Sequence, residues 1–232
     1  MKVSLLCTIV FCYNWKVHEF LGNLIINTLP VVYNKILPIL NGTSIAQASI
    51  WADTIKKSKR WSFSRPLHYI NIIDKCSITE KELTIITTEN IYTTIIDLQT
   101  HKFKHQTTKE EQLKFMLHFI QDITQPLHVF GKLRGGNDVH VIRSKNNRNK
   151  TTDLHTLWDS ELPSTYIASN KYVPTIKNTS IVDVINYNLK VGCRHAYNFT
   201  DNYIIFEDYY QEEIIKNMFD NYLSLALMYF KD

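Results

Sequence analysis

The strongest constraint in the sequence is an amphipathic stretch that carries polar, metal-capable side chains among its apolar ones. From Lys109 to Thr124 the chain opens on acidic residues, places Leu113, Leu117 and Ile120 on one stripe and is stopped by Pro126, so it predicts a helix. His118 and Asp122 lie four apart and share a face of that helix, beside Phe115, Phe119 and Ile120. His128 follows the stop, where a turn can return it toward the same point. A carboxylate and an imidazole in such surroundings are costly to bury unless something pairs with them. The fold must therefore enclose a polar centre within a helical core.

The rest of the chain reads mainly as helices, because only six glycines and six prolines punctuate 232 residues. His18 to Ile36 is apolar at helical spacing, with a kink expected at Pro30 and an end at Pro38. Thr43 to Lys57 follows the Asn41-Gly42 turn signal and carries Ile45, Ala48, Ala52 and Ile55 on one face. Thr79 to Leu98 is rich in Thr and Ile, so strand is a real alternative, although its length favours helix. Arg134 to Asn149 reads as a Gly-Gly-Asn loop leading into a short β-hairpin. Helices are expected again over Thr151 to Ser160, Ser180 to Phe199 and Asp201 to Leu227. Without internal repeats or a low-complexity linker, the fold class is all-α, a single compact helical domain.

Composition and the N-terminus bear on compartment. Hydrophobic residues at 44% and charged residues at 21% exclude wholesale disorder, and a formal charge of +4 is too small to argue for nucleic acid by itself. Lys2 followed by the apolar run Val3 to Phe11 reads as a short secretory signal, with residues 1–14 removed and a domain over 15–232; a buried N-terminal strand is the alternative. No apolar run reaches the ~18 residues of a membrane span. Such processing leaves Cys76 and Cys193, for which one disulfide and two buried thiols are both open readings. Asn-x-Ser/Thr sequons begin at Asn41, Asn149, Asn178 and Asn198, as export would allow.

A second His-x-x-x-Asp pair, His155 and Asp159, recurs among Leu154, Leu157 and Trp158. Imidazole nitrogen and carboxylate oxygen suit zinc, and an i, i+4 spacing lets a helix present both to one ion. One such pair is ordinarily a hydrogen-bonded surface pair; two of them with His128 favour a metal centre. Upstream, Trp51-Ala52-Asp53 and Leu67-His68-Tyr69-Ile70 place an acid and a histidine in further apolar runs.

In order and spacing these segments, Trp51-Ala52-Asp53, His68-Tyr69-Ile70, His118 through His128, Gly135-Gly136-Asn137 and Leu154 through Asp159, resemble the secreted, zinc-dependent, single-strand-specific nucleases and 3'-nucleotidases of fungi, plants and protozoa. The resemblance implies the helical fold those enzymes share with zinc phospholipase C, and three zinc ions. Carried over, Asp53, His68, His118 and Asp122 hold one zinc, and His128, His155 and Asp159 hold another. Asp122, His18 and the amine and carbonyl of a mature N-terminal Trp15 hold the third. A water bridging the two close zincs would act as hydroxide on the phosphorus, with Asp53 orienting it and the remaining zinc stabilising the departing 3'-oxygen, to leave 5'-phosphate products. Lys56 stands where the family has a phosphate-steadying arginine, Asn71 where many members have a base-reading aspartate, and Asn137 in a substrate-binding loop.

Other features depart from the family pattern. Trp15 and His18 are three residues apart, closer than is usual in the family, and of the family's disulfides only Cys76–Cys193 can form. The expected partners are single-stranded nucleic acid and 3'-nucleotides, met by a secreted monomer without stable membrane insertion. A zinc phospholipase C is the alternative enzyme, although its last ligand pair is typically His-x-x-x-Glu; a catalytically impaired zinc-binding homologue is the alternative outside catalysis. Three zinc ions would add six charges to the formal +4, so attraction for phosphate need not come from a Lys/Arg surface.

Overall fold

The computed structural model describes residues 13–146, 148–199 and 203–231; most of the expected signal segment, residues 1–12, lies outside them. The architecture is mostly helical, as the sequence predicts. Its centre is helix α6, Lys109–Asp122, in which every residue from Leu113 to Asp122 is buried. Thr108 and Glu111 form a capping box at its N-terminus, and Glu110 and Glu111 lie in the first turn, where they favour the helix dipole.

Around α6 pack α1 (Trp15–Thr28), α3 (Ile45–Ile55), α5 (Ile91–Gln99) and the C-terminal helix α12 (Glu212–Phe230). Leu29 breaks the first helical run, and Pro30 opens α2, Pro30–Ile36, at a position where the missing N–H costs nothing. Gly22 lets α1 approach α3 closely: a Cβ there would lie 2.6 Å from Ser49 Oγ. The two helices that carry His18 and Asp53 are thereby brought together.

The Thr79 to Leu98 run forms two helices, α4 (Glu80–Ile85) and α5, instead of one. Thr79 and Asn90 each build a capping box, and the second interrupts the run because the Asn90 side chain accepts from Thr93 N while the Asn90 N–H donates to the Thr93 hydroxyl oxygen. A short α7, Pro126–Val129, follows the central helix. The expected hairpin is β1 (His140–Lys145) against β2 (Arg148–Asp153), antiparallel, with Val141 facing Thr152 and Ile142 facing Thr151. It claims residues 151–153 from the helix expected there, since β-branched threonines suit a strand and Asp153 then caps the next helix by accepting from Thr156 N.

From there the chain runs through α8 (Leu154–Thr156), a π-helical turn Leu157–Glu161 and α9 (Leu162–Ala168). After α10, Ile181–Val191, a second π turn covers Gly192–Ala196. The segment expected to be one helix from Asp201 begins instead with β3, Tyr203–Ile205, parallel to β1, and a short α11, Phe206–Tyr209, before α12. Buried Ile204 gives β3 its place in the core. Among the described residues no helix is long and apolar enough to cross a membrane, and all four sequon asparagines are exposed.

Cys76 and Cys193 form a disulfide across a sequence separation of 117, tying the loop after His68 to the end of α10. Closing so long a loop removes substantial entropy from the unfolded chain, and loss of such a bond typically costs about 2–5 kcal/mol. The Cys76→Ser/Cys193→Ser variant should lose stability in that range in urea titration, and an unchanged midpoint would show that the bond contributes nothing.

Candidate metal centre

The polar centre lies where α1, α3, α6, α7 and the turn after α8 meet. Asp122 and Asp159 are enclosed, with side chains 0% and 1% exposed, whereas Asp53 is 23% exposed and forms the open edge. The histidines at 18, 68, 118, 128 and 155 are all buried. Their donor atoms fall into three groups, each with atoms within 4.8 Å of one another: His18, Asp53 and His118; His68, His118 and Asp122; and His128, His155 and Asp159.

Hydrogen bonds set the direction of three of the rings. His18 Nδ1 donates to Gln121 Oε1 at 2.5 Å, His118 Nδ1 to the Ser49 carbonyl at 2.6 Å, and His155 Nδ1 to the Gly135 carbonyl at 2.7 Å. With Nδ1 anchored in this way, each Nε2 faces inward. His18 Nε2 lies 3.5 Å from Asp122 Oδ1 and 3.8 Å from Asp53 Oδ2, and His155 Nε2 lies 3.0 Å from Asp159 Oδ2. His18 is neutral, so its unpartnered Nε2 presents a lone pair to the carboxylates, which is repulsive unless a cation stands between them. Metal-ligating histidines are commonly anchored in this way through the ring nitrogen that does not bind the ion.

Two further histidines complete the centre. His68 Nδ1 approaches Asp122 Oδ2 at 2.8 Å, and His128 bridges the groups, with Nδ1 3.6 Å from Asp122 Oδ1 and Nε2 3.4 Å from Asp159 Oδ1. His18 Nε2, Asp122 Oδ1 and both nitrogens of His128 are buried without a hydrogen-bond partner. Native cores seldom leave so many polar atoms unsatisfied together. The donor set and its orphaned atoms fit divalent zinc.

The titration of the metal-free site divides the rings in two. Burial depresses His18 to about 4, chiefly by desolvation and next by the neighbouring His118. Burial likewise brings His68 to about 4. It works against His118 and His155 too, but the carboxylates of Asp122 and Asp53 hold the former at about 10, and Asp159 holds the latter at about 9. Burial would raise Asp122, yet the imidazoles of His118 and His128 hold it well below its ordinary value.

Lys56 caps the C-terminus of α3 and pairs with Asp53 Oδ1 at 2.6 Å. Trp15 opens α1; the residue is 58% exposed, with Lys16 Nζ 5.4 Å from its ring centroid, at a cavity of about 460 Å³ that Asp53, Lys56 and Asp159 also line. Asn71 and Asn137 line a different cavity, of about 110 Å³, with His128 and His155. The Gly-Gly-Asn loop orients His155 through the Gly135 carbonyl, and Gly135 is left-handed, with φ of 60° and no room for a Cβ beside the Leu127 carbonyl.

Several residues of the site carry no motif that marks them. Gln121 orients His18 and donates to Ser49 Oγ at 3.0 Å, while Gln125 holds Asp159 and caps Leu127 N. Their signal was present as two amides spaced inside the His118 to His128 segment. Tyr69 and Arg134 line the cavity of Asn71. Tyr13, on the leader side of the expected boundary, is fully buried, its ring 5.6 Å edge-on from His18 and 6.2 Å from His128.

A mostly helical domain that encloses three neighbouring His/Asp groups has the form of a protein that can hold metal. The S1/P1 nuclease family model matches residues 23–220, and the chain belongs to that family. It is 30% identical to nuclease S1 of Aspergillus oryzae over 158 residues, covering 64% of this chain and 51% of that protein. It is 34% identical to endonuclease 2 of Arabidopsis thaliana over 146 residues, 56% and 48% of the two chains. Nuclease P1 of Penicillium citrinum is 27% identical over 145 residues, 58% and 51% of the two. The chain thus spans about half the length of the curated relatives it matches.

Metal that binds the folded centre stabilises it by linkage, so chelation should lower the thermal midpoint and re-addition of zinc should restore it. Gln121→Leu should weaken zinc binding by about tenfold to a hundredfold through loss of the His18 anchor, measured by competition with a chromophoric chelator. A midpoint indifferent to chelator would contradict the first, and unaltered affinity the second.

Proposed function

We propose that the chain is a zinc-dependent phosphoesterase that hydrolyses single-stranded RNA or DNA and 3'-nucleotides to 5'-phosphate products. The observation that carries this reading is the anchoring of three Nδ1–H groups away from the centre, which turns each Nε2 toward a carboxylate, beside buried donor atoms of His18, His128 and Asp122 that have no hydrogen-bond partner. Family membership over residues 23–220 supports the reaction class, and the relatives' printed names support nucleic acid as substrate.

In this reading His18, Asp53, His68, His118, Asp122, His128, His155 and Asp159 would hold three zinc ions, with the backbone of Trp15 as a further candidate ligand. Bound zinc would supply Lewis-acid activation and neutralise developing phosphoryl charge. Asp53, the carboxylate at the open edge, is suited to orient the attacking water and accept its proton. Lys56 sets a positive charge beside it, where phosphoryl oxygens would come to rest. As a point charge it offers less than the bidentate fork of an arginine. Asn71 and Asn137 offer amide donors and acceptors to the nucleotide from the second cavity.

The reading includes export as a monomer, with the segment 1–14 as leader and the disulfide and exposed sequons in keeping with an oxidising compartment. Removal of all fourteen residues would take Tyr13 out of the centre, so N-terminal sequencing of the mature protein tests the boundary directly.

The decisive assay is hydrolysis of 3'-AMP and of single-stranded oligonucleotide by zinc-loaded protein. His155→Ala should lose both a zinc ion and at least about a hundredfold in activity. Lys56→Arg should raise kcat/KM by roughly fivefold, because a second hydrogen bond to phosphate is worth about 1 kcal/mol. Bound zinc without turnover of either substrate would contradict the reading, as would release of phosphocholine from lecithin in the absence of nucleotide hydrolysis.

A further inference from the structure

We propose that the leader is cut between Cys12 and Tyr13, so that the mature chain keeps Asn14 and begins at Tyr13, whose freed amine, and not that of Trp15, serves the metal centre. This inference rests on the export and zinc readings above and moves the boundary expected from the sequence by two residues. Hydrolysis of that peptide bond breaks the C–N link, leaving a carboxylate on Cys12 and an amine on Tyr13. Water and a leader-removing endopeptidase are all it requires.

Residues 13 and 14 are built into the folded domain. Tyr13 is 0% exposed, and its ring lies 5.6 Å from that of His18 and 6.2 Å from that of His128. A cut before Trp15 would vacate the space of one of the largest fully buried side chains, between two metal-capable rings. Asn14 caps α1: its Oδ1 accepts from the Lys16 N–H at 2.7 Å, and its carbonyl accepts from the N–H groups of Val17 and His18 at 2.8 and 3.2 Å. The same cut would strip that cap from the turn that carries His18. The Asn14 N–H donates to the Asp159 carbonyl at 3.3 Å, which holds the backbone next to Tyr13 against the other half of the centre.

Trp15 is placed differently. It is the first residue of α1, 58% exposed, with the Lys16 ammonium over its ring. The residues ahead of the two bonds point the same way, because leader removal favours compact side chains one and three positions before the cut. Ahead of Tyr13 these are Cys12 and Val10; ahead of Trp15 they are Asn14 and Cys12. A backbone nitrogen binds a metal ion only as a free, unprotonated amine. The cut at Tyr13 therefore adds a nitrogen donor to a cluster in which His18 Nε2, Asp122 Oδ1 and both His128 nitrogens are already buried without hydrogen-bond partners.

The test reads the N-terminus and zinc, and needs no catalytic activity. The full chain, expressed in a eukaryotic secretory host, should yield Tyr13 as its first residue by N-terminal sequencing and intact mass. Any other first residue in the exported protein would overturn the proposal. Three chains released from a cleavable fusion then test the amine: one beginning at Tyr13, one beginning at Trp15, and one with a single glycine added ahead of Tyr13. The added glycine keeps every buried side chain and turns the Tyr13 amine into an amide, so it decides the matter even where the Trp15 chain fails to fold. Titration against a chromophoric chelator should show the most weakly held zinc bound at least about tenfold more tightly by the Tyr13 chain than by the other two. Equal affinity in the Tyr13 and glycine-extended chains would overturn the role of the amine. If the host does not export the protein, the export reading fails on its own, and the zinc comparison decides whether Tyr13 serves the centre. If no chain binds zinc, the zinc reading fails on its own, and sequencing decides the boundary.

Discussion

Two buried carboxylates and a third at the open edge of a helical core, with five imidazoles turned toward them, are the constraint on which the rest of the molecule depends. Stripping water from a carboxylate costs several kcal/mol even after the protein relaxes. Asp122 and Asp159 have been stripped almost completely, and no lysine or arginine forms an ion pair with either among the described residues. Only the histidines are at hand, and of these His18 and His68 are held neutral by burial. Metal-free, the centre relies on protons carried by His118 and His155. Divalent cations would supply the missing positive charge at the same positions with far better geometry.

Much of the fold serves that enclosure. Helix α6 is buried nearly all round because it carries two donors of the centre and one anchor, Gln121, on its last turn and a half. Helices α1 and α3 meet at Gly22, which sets His18 against Asp53. The left-handed Gly135 gives its carbonyl to His155 while its backbone lies against Leu127, so one loop orients a ligand and borders the asparagine cavity. The modest formal charge of +4 is consistent with this design, since the attraction for phosphate would reside in ions and not in side chains.

The central helix and the grouping of His118, Asp122, His128, His155 and Asp159 were legible in the sequence because helical spacing is strict: i, i+4 pairs in an apolar run declare both a face and its burial. Elements set by long-range partners were not. Thr151 and Thr152 read as helix until β1 is available to pair with them, and residues 203–205 become a strand only by lying alongside Ile142–Ser144. Asn90 divides a Thr/Ile run through local hydrogen bonds that periodicity does not register. In the site, Gln121 and Gln125 stood in plain view within the densest motif, but an amide acquires its role only when the ring or carboxylate it orients is placed in space. Tyr13 shows the opposite limit: an apolar N-terminal run describes a leader, and gives no sign that one of its last residues is buried between two histidines.

The central claim is that the buried His/Asp groups are a zinc centre. Crystals of the protein, measured on both sides of the zinc absorption edge, should give three anomalous peaks: two close together among His18, Asp53, His68, His118 and Asp122, and a third between His128, His155 and Asp159. An ordered site without anomalous density, its histidines and carboxylates bonded directly to one another, would contradict it.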